Sequence, residues 1–71
     1  MNKTPFFEVT AGLGLRSKYR EFLERMKFLG KDITFIESKS FLQSTFIIKG
    51  NYEDLKYVLM YSKIKFPDYD E

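Results

Sequence analysis

The sequence predicts an α+β fold of the ferredoxin-like kind: a βαββα two-layer sandwich. Its three-stranded antiparallel sheet carries both helices on one face, and the fourth strand is absent or a stub. Three observations lead there. Leu15, Tyr19, Phe22, Met26 and Leu29 recur at alternating spacings of four and three, and Leu23 widens the stripe, which is the apolar face of an amphipathic helix. Three short runs rich in β-branched and aromatic residues flank that helix and follow it. The order is therefore strand, helix, strand, strand, helix. A right-handed crossover sets the first two strands parallel, with the third between them and antiparallel to both.

The first strand reads as Thr4 to Thr10. Phe7 and Val9 share one face, Phe6, Glu8 and Thr10 the other, and Pro5 is tolerable at a strand's start or on an edge. Gly12 and Gly14 mark the approach to the first helix, Leu15 to Leu29, and Gly30 stops it. Asp32 to Glu37 forms the second strand, with Ile33 and Phe35 on one face and Thr34 and Ile36 on the other. Ser38-Lys39-Ser40 is turn-like and leads into the third strand, Gln43 to Lys49. Leu42, Phe46 and Ile48 are expected to line its inner face, with Thr45 and Ile47 outside. Asn51 is a good N-cap for the last helix, Glu53 and Asp54 suit its first turn and Lys63 and Lys65 its last, and Pro67 ends it. Phe66-Pro67-Asp68-Tyr69 offers at most a stub of a fourth strand. The first strand is thus left with an unprotected edge open to another chain.

Seventy-one residues make one domain, 1–71, near the lower limit of independent folding. A chain this short buries only about 60% of its unfolded surface. There is no cysteine and no histidine, which removes disulfides and the usual zinc and haem-attachment patterns. Eight Phe and five Tyr pose a choice between an unusually aromatic core and aromatics that face a partner. No apolar run suits a signal-peptide core or a membrane span, so a cytoplasmic location is expected, without membrane, metal or cofactor.

Without His or Cys the common general bases and thiol nucleophiles are missing, and no pair of carboxylates stands out, so an enzyme is not expected. The net charge of +2 is too small to argue for nucleic acid by itself. From Arg16 to Lys31, however, six basic residues stand against two acidic ones. Gly12 and Gly14 followed by Arg16, Lys18, Arg20 and Lys27 therefore form a candidate surface for nucleic acid or a small anion. The Gly-Leu-Gly pattern matches neither the phosphate-binding loop nor the dinucleotide fingerprint, and the plainer reading is a turn that needs glycine. Phe6, Ile36 and Ile47 line up on the open face of the sheet, without the aromatic signature of an RNA-binding sheet.

The last helix is the most informative. At 100° per residue, Tyr52, Leu55, Val58, Leu59, Ser62 and Phe66 fall on one face and suit the core. Tyr57, Met60, Tyr61 and Ile64 fall on nearly the opposite face, where a two-layer domain should be polar. Either the tyrosine rings lie along neighbouring side chains, or this is an interface. The leading expectation is a non-enzymatic protein–protein interaction module, an accessory regulator or inhibitor of a larger machine. It would self-associate as a homodimer through the first-strand edge or this helix face. Nucleic-acid binding through the first helix is the alternative.

Overall fold

A computed structural model describes residues 4–66. The chain runs β1 (Phe6–Gly12), α1 (Arg16–Phe28), β2 (Ile33–Lys39), β3 (Gln43–Gly50) and α2 (Tyr52–Lys65). The sheet order is β1-β3-β2, with both pairs antiparallel, which is the βαββα arrangement expected. The proposed fourth-strand stub from Phe66 to Tyr69 falls, beyond Phe66, outside the described residues. Among those residues, the outer edges of β1 and β2 both lack a neighbouring strand.

The ladder corrects the bounds of β1. It pairs Phe6 with Lys49 and Gly12 with Gln43, so the strand begins two residues later than expected and ends two later. Pro5 has no N–H to give a ladder and stays outside it. The shift brings Ala11 onto the inner face beside Phe7 and Val9, where it is fully buried. A second correction concerns β3. Ser44, not Leu42, takes the inward position in line with Phe46 and Ile48, and Leu42 lies in the turn, exposed.

α1 presents Tyr19, Phe22, Leu23 and Met26 to the sheet. Leu15 and Leu29 are its flanking residues, and Leu29 is exposed because the helix stops at Phe28. Gly30, at φ 99°, ends it: Gly30 N–H donates to Lys27 O and Lys31 N–H to Met26 O. That paired reversal needs a left-handed residue, which glycine supplies without a Cβ penalty. α2 begins on Asn51, whose Oδ1 accepts from the Asp54 N–H at 2.9 Å. Leu55, Val58, Ser62 and Phe66 turn inward, whereas Tyr52, expected in the core, is exposed in the first turn of the helix.

The core is aromatic at its centre. The buried Tyr19 ring lies 5.1 Å from Phe46, 5.4 Å from Phe66 and 5.6 Å from Phe22, tilted or edge-on in each case. Burial pushes the Tyr19 phenol up to about 12, against a hydrogen bond with Ser62 that works the other way. Phe6, Phe28 and Phe41 are exposed, so the aromatic excess serves both the core and the surface.

Where α2 meets the start of β2 the backbone closes tightly. A Cβ on Gly50 would overlap the Asp32 carbonyl oxygen and come within 3.0 Å of Ile33 Cα. Around that contact, Asp54 Oδ2 accepts from the Asp32 N–H at 2.7 Å, and Asn51 Nδ2 donates to both Asp32 and Asp54.

Candidate functional site

The outer layer of the molecule is built by the two helices. α2 spends one side on the core, yet Met60 is 58% and Ile64 69% exposed on the other, four residues apart and so one above the other. Tyr57 and Tyr61 sit beside them but lean toward α1. Their rings are near-parallel with centroids 5.5 Å apart, and Tyr61 is also near-parallel to Phe22 of α1 at 6.5 Å. Lys31, just beyond the end of α1, places its ammonium 3.9 Å from the Tyr57 ring centroid, a close cation–π contact. The four sequence-predicted contact residues are thus together and partly or largely exposed. The two tyrosines have partners within the monomer; Met60 and Ile64 provide the apolar surface.

Between α1 and α2 runs a groove of about 740 Å³. Phe22, Met26 and Phe66 form its apolar floor and Tyr61 one wall, while Lys18, Arg25, Lys65 and Glu21 stand along its rim.

The residues of the alternative reading do not form one patch. Arg16 Nη1 donates to the carbonyls of Ser40 at 2.9 Å and Gln43 at 3.3 Å, tying the start of α1 to the β2–β3 turn. Arg20 donates through Nε and Nη2 to the two oxygens of Glu37, at 2.7 and 3.0 Å. Lys27 lies 5.6 Å from the Phe35 ring centroid, also toward β2. Lys18 alone of the four lines the groove on the α2 side. Gly12 and Gly14 have no positive φ and open space where a Cβ would be, so the turn does not depend on glycine, and the alternating left-handed backbone of an anion nest is not formed there.

Two features were not read from the sequence. Glu37, half-buried on the helix-side face of β2, accepts from Arg20 and, at 2.8 Å, from the buried Ser44 hydroxyl. The Arg20 guanidinium, against partial burial and aided by Ser44, holds this carboxyl down at about 2. The signal was the period-two register of β2, which puts Glu37 in line with Ile33 and Phe35. The second is a set of bare apolar side chains at two ends of the molecule: Phe28 beside Leu29, and Phe41 beside Leu42 in the β2–β3 turn, with Phe28 and Phe41 each 88% exposed. An aromatic inside an otherwise polar turn was the available clue.

No family model, curated protein or solved structure matches this chain. Among the described residues no group of three His, Cys, Asp or Glu could hold a metal ion, and no helix is long and apolar enough to cross a membrane. What the geometry offers is contact surface: a helix apolar on two sides, and a groove with a greasy floor and a mainly cationic rim.

Proposed function

We propose that the chain is a non-enzymatic protein–protein interaction module that pairs with a second copy through the outward side of α2. The observation that carries this reading is the exposure of Met60 and Ile64 on a helix whose opposite side is already in the core. Water gains by releasing such surface, and a two-fold axis lets one helix face meet itself without needing a second kind of patch. The tyrosines beside it supply ring area and hydroxyls suited to a contact rim.

Nucleic-acid binding is less well supported, because Arg16 and Arg20 are held by internal acceptors and Lys18 stands apart from Lys27. The test is solution mass across a concentration series by light scattering or sedimentation. The expected result is a rise from 8.5 kDa toward twice that value, abolished by Met60→Lys with Ile64→Lys. A strict monomer, or a dimer indifferent to that pair of substitutions, refutes the proposal.

A further inference from the structure

We infer that the groove between α1 and α2 receives an acidic amphipathic helical segment of a partner protein, with apolar side chains on the floor and carboxylates against the rim. The inference rests on the reading of the helical layer as a contact surface and adds to it a second site and the chemistry of its occupant. Three observations point there.

The first is shape. The groove follows α1 from Leu15 to Leu29, about 21 Å at 1.5 Å per residue, enough for three to four turns of a docked helix. Such a helix presents anchors at i, i+3 or i+4, and i+7. The apolar surface open to them is Leu29 and Tyr61, with half-buried Leu15, above a floor of Phe22, Met26 and Phe66 that the Tyr19 cluster and the sheet already bury.

The second is charge. Lys18, Arg25 and Lys65 face the groove against the single carboxylate of Glu21. Arg25 and Lys65 stand on opposite helices, so a segment lying between them meets a cation on each side. A basic or neutral segment would leave that excess unmatched, whereas carboxylates on both flanks match it.

The third separates a peptide from a nucleic acid. A single strand bound here would need free ring faces on which to stack bases. Tyr61 is already near-parallel to Tyr57 and Phe22, and Phe22 and Phe66 lie edge to face with each other at 5.7 Å. These pairings engage the rings with one another, and the aliphatic side chains of Leu15 and Leu29 along the groove suit Leu, Ile or Phe anchors.

The experiment is fluorescence anisotropy with a labelled synthetic peptide of about sixteen residues, carrying Leu and Phe at i, i+3 and i+7 and Glu on both flanks. A second peptide has every Glu replaced by Lys, and a labelled oligouridylate is the third probe. The expected result is binding of the Glu peptide alone, weakening with added salt and falling roughly tenfold or more in Arg25→Glu with Lys65→Glu. Both substituted side chains are exposed, so the variant should keep the wild-type circular dichroism and melting curve. Absence of binding by the Glu peptide, equal binding by the Lys peptide, or undiminished binding by the double variant overturns the inference. Oligouridylate binding that the same two substitutions abolish also overturns it, in favour of nucleic acid. The two surfaces share Tyr61, but Met60 and Ile64 lie outside the groove lining, so the mass series with Met60→Lys and Ile64→Lys reads self-association separately from peptide binding.

Discussion

Glu37→Gln is the sharpest single test of how this small domain holds its second strand. The carboxylate takes two hydrogen bonds from Arg20 and one from Ser44, with its own side chain 12% exposed and that of Arg20 34% exposed. Glutamine keeps the shape and one acceptor oxygen, but its amide nitrogen is a donor and cannot accept from the guanidinium. The displacement of the carboxyl from 4.5 to about 2 sets a ceiling of roughly 3 kcal/mol on the interaction. Water reaches the Arg20 side of the pair and screens it, so about 1.5 kcal/mol is the working figure. Because the folded group is more acidic than the unfolded one, its contribution is complete above pH 4.5 and is lost as pH falls toward about 2. Urea titrations of wild type and variant, run from pH 7 down to pH 3, read the difference directly. At a slope of about 1 kcal/mol/M for so small a protein, the midpoints should differ by ~1.5 M at pH 7 and by less than half that at pH 3. A gap that stays constant over this range, or no gap at pH 7, would refute the account of Glu37 as a paired, ionised group.

Gly50→Ala should lower stability by about 2–3 kcal/mol, because the added methyl overlaps the Asp32 carbonyl and crowds Ile33 Cα, backbone atoms that cannot swing away, as well as Ile33 Cγ2; thermal melting by circular dichroism measures it. Phe46→Ala removes a fully buried ring from contact with Tyr19 and Phe35, and a loss of ~3–5 kcal/mol would take most of the stability a domain of this size has. The expected result is a broad, low-temperature melt or no transition at all. Tyr19→Phe should act mainly in alkali. The wild-type phenol resists ionisation until about 12, so the folded state loses ground as pH rises from 10 toward that value. The variant should keep more of its stability across the same window and change little at neutral pH, so that the two melting curves separate only in alkali. Circular dichroism from pH 9 to pH 12 checks both parts.

Much of the architecture was legible because periodicity carries it. The α1 stripe, the inward Phe46 and Ile48, and the two-sided α2 all follow from spacing alone. Asn51 and Gly30 behave as their side chains, or lack of one, require. The misses came where pairing across strands decides. Alternation within Thr4 to Thr10 gave the right faces, but only the partner strand fixes where a ladder starts, and it moved β1 toward Ala11 and Gly12. Leu42 and Ser44 share a face by alternation, and only the start of the ladder at Gln43 leaves Leu42 in the turn and makes Ser44 the first inward residue, within reach of Glu37. For the surfaces, the crowding of Tyr57, Met60, Tyr61 and Ile64 was visible on a helical wheel. The groove was not: it depends on how far apart two helices sit, and that distance is written in the bulk of Phe22, Phe66 and Tyr61 packing at once.

The described sheet stops at three strands with a vacant margin on each flank, and β1 and β2, its two outer members, point the same way. Like margins can meet antiparallel about a two-fold axis, which ends growth after one addition on that flank. Unlike margins join head to tail, each copy leaving another margin bare, so addition goes on until the assembly closes into a ring or grows as a fibre. Closed pairing and open-ended growth are thus alternatives drawn from one piece of geometry.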